Sequence, residues 1–308
     1  MPVKTDLSPD DLSAMLALYD LGGYVAAQPF PNGAVHTNLR LDTTKGRYVL
    51  RYYEKRSPEW IAFESSLISF LRARDYPTPR PIPDKNCDIV AYYDGKPYTI
   101  FDFAAGTHGE NPNDSPYDFR YDETARVIAR LHDLTAGYEP VFAEHREGRD
   151  KEDAWAIAQE TAKKIVDPAL RGERLSWYRA ELDKIALPAG LPRGVCHADV
   201  NYGNFLFDGG RVSAVLDFDM ACCTYLVYDL ANLIYWWAWP PEKGLNFETA
   251  RRIVKAYEAV RPLDESEKAH LYNALKMVFM MDVAWFIDDA NGDMGESRQG
   301  LDFLTAMG

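Results

Sequence analysis

Between Val195 and Asp219 the chain packs a strand, a polar loop and a tight hairpin into one short stretch. Val195-Cys196-His197 reads as the end of a buried strand. Phe205-Leu206-Phe207 and Val212–Leu216 read as two more, turned at Asp208-Gly209-Gly210-Arg211, where a Gly-Gly pair suits the positive φ angles of a two-residue turn. Between the first two strands lies His197-Ala-Asp199-Val-Asn-Tyr-Gly-Asn204, which offers a carboxylate and a carboxamide. In the simplest register Leu206 faces Ser213 and Asn204 faces Val215, so Asp217 falls one pleat further on, on the face of Asn204. Diagonal neighbours of this kind lie roughly 7–8 Å apart, within reach of one cation. A hard ion such as Mg²⁺ prefers carboxylate, carbonyl and water oxygens, and no soft ligand set competes here. One acid to take a hydroxyl proton, with an acid and an amide oxygen for a metal, suits phosphoryl transfer.

The rest of the chain predicts two lobes. Val35–Leu41 and Tyr48–Tyr53 alternate as strands around Thr43-Thr-Lys-Gly46, and a helix follows with Trp60, Phe63, Leu67, Ile68 and Leu71 on one stripe and Glu64 off it. Ile89–Tyr93 and Pro97–Phe101 flank Asp94-Gly95-Lys96 as another hairpin. Helices are expected near 121–134, 152–166, 172–186, 228–238, 247–260 and 264–289. The boundary is set after Phe101-Asp102-Phe103, giving lobes 1–103 and 104–308, and 308 residues at 47% hydrophobic can fill both cores.

The charge pattern narrows the function classes. A net charge of −13, without a basic cluster interleaved with aromatics, argues against a nucleic-acid partner. The most apolar stretch, Tyr225–Trp239, is interrupted by Asp229 and Asn232 and is too short to span a bilayer. Met1-Pro-Val-Lys-Thr-Asp lacks an apolar signal core, and Cys87, Cys196, Cys222 and Cys223 lack metal-ligand spacing. A cytoplasmic enzyme with reduced thiols is the expectation. Neither GxxxxGK[ST] nor GxGxxG occurs. The candidate phosphate-covering loop, Pro29–Asn38, has Gly33 as its one glycine and Asn38 at its end.

Three ordered motifs carry a resemblance: His197-x-Asp199-x-x-x-x-Asn204, Asp217-Phe218-Asp219, and Tyr228-Asp229-Leu230-Ala231 opening a helix. Together they resemble the aminoglycoside/choline/homoserine kinase group. The resemblance implies an α+β, two-lobed protein-kinase-like fold, with a small N-terminal antiparallel sheet plus helix and a larger, mainly helical C-terminal lobe. It implies ATP and Mg²⁺, Asp199 as catalytic base, Asn204 and Asp217 as magnesium ligands, and Asp229 as a brace for the catalytic loop. Asp219 would bind a second ion or assist, and His197 would hold the loop through backbone hydrogen bonds. Arg51 stands where the group usually has a phosphate-binding Lys. Its planar guanidinium can serve phosphate, with Glu64 as its partner. Adenine is expected against Phe101–Ala104, where Phe101 and Phe103 border the lobe junction.

Tyr53-Glu-Lys-Arg56, Tyr76–Pro83 and Tyr257–Leu263 look most like type II homoserine kinases, so homoserine leads as the small-molecule hydroxyl substrate. An Arg expected in the last helix for the amino-acid carboxylate is missing. Lys276 and Met281-Asp282 stand nearby, which keeps choline, ethanolamine and aminoglycosides open. The aromatic helix Tyr228–Trp239 with Asp282, Asp288, Asp289 and Asp293 would suit an amine, although core aromatics and a solvated acidic tail explain the same residues. Rival readings are a non-catalytic kinase-like nucleotide-binding protein, a metal-dependent hydrolase, and a Cys196-His197 nucleophile, disfavoured because adjacent strand residues point to opposite faces. The sequence leaves nucleotide preference and oligomeric state open.

Overall fold

A computed structural model describes residues 4–30, 35–109, 119–146, 148–239 and 244–288. Helix α1 (Pro9–Leu16) begins where Ser8 and Asp11 cap each other's backbone, and Pro9 fits the first turn because its missing N–H has no helical partner. Neither α1 nor the edge strand β1 (Tyr24–Pro29) was expected from hydrophobic periodicity. β2 (Thr37–Thr43) and β3 (Gly46–Tyr52) form the expected hairpin, and β4 (Pro81–Ile82), β5 (Ala91–Tyr93) and β6 (Lys96–Asp102) complete an antiparallel sheet ordered β1-β2-β3-β6-β4, with β5 also on β6. Strand alternation then sorts the side chains. Leu39, Leu41, Leu50 and Tyr52 bury beneath Leu12, Met15 and Leu16 of α1. Asn38 and Arg51, paired across the β2–β3 ladder, point to the opposite face.

That other face meets α2 (Pro58–Arg72), started by Ser57, whose hydroxyl accepts from the Trp60 N–H. Phe63, Leu67, Ile68 and Leu71 are buried as the periodicity predicts, and they join the core of the larger lobe rather than that of the small sheet. The covalent boundary and the packing boundary therefore fall at different places. Glu64, off the apolar stripe, is nonetheless fully buried, because it has Arg51 to neutralise it.

The chain passes from β6 through Gly106 to β7 (Thr107–His108), which pairs with β9 (Phe205–Asp208), itself paired with β10 (Arg211–Val215). Gly106 is at φ +143°, and a Cβ there would lie 2.6 Å from the Ser213 hydroxyl, so glycine is required by both conformation and space. The β9–β10 register corrects the expectation. A bulge at Ser213 puts Ala214 opposite Leu206, and Asn204 sits in a 3₁₀ turn bonded to Leu216 (N···O 2.8 Å) instead of facing Val215. The bulge frees Ser213 to donate to the Ala105 carbonyl at 2.8 Å, fastening the linker. β8 (Arg193–Cys196) pairs with β11 (Cys222–Tyr225). Around these strands pack α3 (Phe119–Leu134), α4 (Lys151–Ala162), α5 (Pro168–Asp183), α6 (Leu226–Ala238), α7 (Phe247–Glu258) and α8 (Glu265–Phe286). Among the described residues no helix is long and apolar enough to cross a membrane.

Candidate active site

The loop after β8 is held in a shape a free chain avoids. Ala198 sits at φ +62°, unfavourable for a residue with a Cβ. The Asp229 carboxylate, fully buried on α6, fixes it by accepting the N–H groups of His197 (2.7 Å) and Ala198 (2.8 Å). The same carboxylate faces Nε2 of His132 at 3.1 Å, and the other ring nitrogen meets the Tyr257 hydroxyl at 2.6 Å. Burial opposes its ionised form, but His132 and the backbone donors hold its carboxyl below the usual range. His197 closes the loop: Nδ1 accepts from the Asp199 N–H at 3.3 Å, leaving Nε2–H to donate to Leu216 O at 2.8 Å. α6 adds Asn232 and Trp237, which donate to the carbonyls of Ala198 and Val200. Asp229, Asn232 and Trp237 share one helix face, and that face cradles the loop.

Asp199 emerges half-buried from this frame. The Asn201 side chain donates to its Oδ1 at 2.8 Å, and Asn204 Nδ2 donates to its Oδ2 at 3.0 Å and to its carbonyl at 2.8 Å. The amide nitrogen of Asn204 is thereby committed, and its oxygen is left for another partner. Asp217, at φ +59°, ends the β10 side of the cleft with its side chain 44% exposed. Its Oδ1 accepts from Arg51 Nη2 at 3.1 Å, and Arg51 also reaches Glu64 (2.8 Å) and Asn38 Oδ1 (3.2 Å). Burial alone would lower the Arg51 pKa, but Asp217 and Glu64 hold it firmly protonated. Arg51, Glu64, Asn38 and Asp217 are thus one connected group across the two lobes. Phe101 lies at the base of this group, its ring 5.9 Å from the Arg51 guanidinium carbon, and the half-buried Phe103 packs under Arg47. Gly33 lies outside the described residues.

Asp219, two positions beyond Asp217, is filled. His36 Nε2 lies 3.1 Å and the Trp60 indole 3.1 Å from Oδ1, and Arg56 binds both oxygens. Against the penalty of burial, His36 and Arg56 hold its carboxyl far below the usual range. Its contacts to His36, Arg56 and Trp60 tie the segment after β10 to the N-terminal part of the chain. Arg146 supports the same turn from below. It is buried, stacked on Trp60 (3.7 Å), and donates to the carbonyls of Phe218, Asp219 and Ala221. Burial depresses its pKa to about 10.

A cavity of about 520 Å³ opens beside Asp199, lined by Arg149, Tyr235, Trp236, Met281 and Asp282 among others. That volume suits a small ligand. The aromatic helix therefore divides: Tyr235 and Trp236 face the cavity, while Trp237 is core beneath the loop. Asp288 pairs with Lys164, and Asp289 and Asp293 lie outside the described residues. Lys276 rests on Tyr272 and does not line the cavity. Sequence reasoning missed Arg56, Trp60, Arg146 and Arg149. His145-Arg-Glu-Gly-Arg149 reads as a solvated charged run, and only burial distinguishes it from one.

The comparisons with known proteins concern the family and the fold. A model of the phosphotransferase enzyme family matches residues 26–263. The chain belongs to that family. Homoserine kinase of Rhodospirillum rubrum is 32% identical over 278 residues, covering 88% of this chain and 83% of the relative. Homoserine kinase of Phenylobacterium zucineum is 33% identical over 274 residues, covering 88% and 82%. Among solved structures, an amicoumacin kinase in complex with AMP-PNP and Ca²⁺ matches with a TM-score of 0.73 at 17% identity, over 96% of this chain and 91% of that one. A microcompartment-associated aminopropanol kinase matches with a TM-score of 0.68 at 16% identity, over 97% and 94%. These structural likenesses bear out the kinase-like fold, and family and relatives together make this phosphotransferase an ATP-dependent small-molecule kinase.

Proposed function

We propose that this kinase transfers the γ-phosphoryl group of ATP to the side-chain hydroxyl of homoserine. The observation that carries the reading is Asp199 on the cavity wall, bonded to Asn204, whose carbonyl accepts from Leu216, the residue before Asp217. The relatives named homoserine kinase, matched over most of both chains, supply the acceptor.

Asp199 serves as the base. Its two oxygens are each oriented by a side-chain amide, so the carboxylate is positioned before the substrate arrives. The hydroxyl oxygen forms a bond to the γ-phosphorus while the bond from that phosphorus to the β–γ bridging oxygen breaks. The hydroxyl proton passes to Asp199, and ADP leaves. Arg51, fixed by Glu64, holds phosphate oxygens in place of a Lys. Phe101 and Phe103 border the adenine at the lobe junction, with Asn38 on the phosphate side. The free amide oxygen of Asn204 and the second oxygen of Asp217 are hard donors that fit Mg²⁺. When bound, the ion would neutralise charge on the polyphosphate. His197, Asp219 and Asp229 are positioning residues, and the boundary near residue 103 separates nucleotide side from acceptor side.

One observation favours a second reading. Asp282 and the aromatic wall of Tyr235 and Trp236 would also suit an amino alcohol with no carboxylate. An ADP-release screen over homoserine, choline, ethanolamine and aminoglycosides, with mass analysis of the phosphorylated product, tests the proposal. Homoserine should be turned over with the highest kcat/KM, and a better acceptor elsewhere in the panel would displace it.

A further inference from the structure

Two charged side chains of the cavity, unlike Arg56, Arg146, Asp153 and Asp199, have neither an ion pair nor a backbone or amide contact among the described residues. Arg149 is one. It stands before α4 at φ +60°, its backbone N–H tied to an Asp153 oxygen at 3.0 Å, and it is 6% exposed. The strained backbone turns its side chain into the cavity, where burial opposes its charge and the nearby carboxylates of Asp153 and Asp199 help hold it protonated. Its guanidinium makes no hydrogen bond or ion pair among the described residues. A guanidinium that lines a cavity without a protein acceptor presents its donors to whatever fills that cavity. The neighbouring cations differ. Arg146 is used by the carbonyls of Phe218, Asp219 and Ala221, and Arg56 is used by Asp219.

Asp282 on α8 is the second. Its one contact is the Tyr235 hydroxyl, which donates to it at 2.8 Å, and no cation offsets the burial that pushes its carboxyl up. Phosphoryl transfer requires neither residue, and the loop braces use neither. A ligand with only an ammonium group would leave Arg149 bare, and one with only a carboxylate would leave Asp282 bare. An occupant carrying both charges satisfies each.

We propose that the cavity reads a zwitterionic amino acid, with Arg149 taking its carboxylate and the Asp282–Tyr235 pair taking its ammonium group. The inference rests on the homoserine reading above and names the residues that would enforce it. The carboxylate-binding Arg expected in the last helix is thereby supplied from the segment before α4, where a planar fork matches a carboxylate with two parallel bonds.

The test compares kcat/KM for homoserine, its decarboxylated analogue aminopropanol and its deaminated analogue hydroxybutanoate. Wild type should favour homoserine over either by about 100-fold, the usual scale for leaving a buried charge unpaired. R149Q should lower the homoserine-over-aminopropanol preference by about 100-fold, chiefly through KM, and R149K should recover part of it. D282N should lower the homoserine-over-hydroxybutanoate preference by about 30-fold. Thermal melts check folding, and if R149Q does not fold, R149K alone should still raise KM for homoserine by about 10-fold. Unchanged preferences in folded variants, with wild type still using homoserine, overturn this inference and leave the homoserine reading intact. A wild type that turns over none of the three compounds, or prefers aminopropanol, overturns both.

Discussion

Asp217 and Asp219 are two residues apart and chemically identical, yet they belong to opposite kinds of site. Asp217 is 44% exposed, touches one cation with one oxygen and leaves the other unused. Asp219 is 5% exposed, with Oδ1 shared by His36, Arg56 and Trp60 and Oδ2 held by Arg56. The contrast extends to the surrounding regions. Around Asp199, Asn204 and Arg149, polar atoms are left over. Around Asp229 and His132, they are consumed. The buried carboxylates that hold loops are bonded on both oxygens by the protein, and the carboxylate of Asp217 is not. Saturation costs little once the fold has formed, whereas a polar group left open on a cleft is free to meet a ligand.

Substitutions can break this division. The largest effect should come from Asp199→Asn, which keeps the amide contacts but removes the proton acceptor. Turnover should fall by about 10³–10⁴ in a coupled ADP assay, near 4–5 kcal/mol of barrier, with ATP affinity almost unchanged in calorimetry. Asp229→Ala leaves His132 and two loop N–H groups without their shared acceptor, so it should cost about 3–5 kcal/mol of stability by urea unfolding. If its stability stays near wild type while turnover collapses, the brace is not structural. Asp217→Asn should weaken nucleotide binding by about 100-fold with Mg²⁺ present and far less without it, as titration calorimetry would read.

Acid sensitivity sharpens the same contrast. The folded-state pKa of Asp219 lies below its unfolded value, so its contribution to stability is full above the ordinary carboxylate range and fades as pH falls toward the folded value. The stability gap between wild type and Asp219→Asn should therefore be widest above about pH 4 and close progressively below it. A gap that widens on acidification would contradict the tie. Smallest of all, Gly106→Ala should cost about 1–3 kcal/mol, because the linker's positive φ and the nearby Ser213 leave no room for a Cβ. Differential scanning calorimetry would show it as a modest fall in Tm with turnover largely preserved.

The legible part of the molecule follows a pattern. Hydrophobic period placed α2 and the large-lobe helices near their observed positions, and strand alternation placed β2, β3 and β6, because both periods follow directly from backbone geometry. The polar loop 197–204 was visible because its spacing is unusual. The β9–β10 register was not, since the Ser213 bulge depends on a hydrogen bond to Ala105, more than a hundred positions away. Glu64 was set outside the buried stripe because burial of an acid is decided by its partner, and Arg51 lies on a different element. Arg149 was missed for the same reason in reverse: in sequence it is one charge within a charged run.

The chain's own order of residues settled which groups are available: a proton acceptor, a carboxamide and paired acids at fixed intervals, on a scaffold of readable strands and helices. Which of those acids would be sealed by cations and which left open was settled only in three dimensions. That choice is made by contacts between distant segments, such as His36 and Arg56 with Asp219, or Arg51 with Asp217. Local sequence cannot encode it, because electrostatic energy depends on distance through space and on exclusion of water, and both are set by the packed fold.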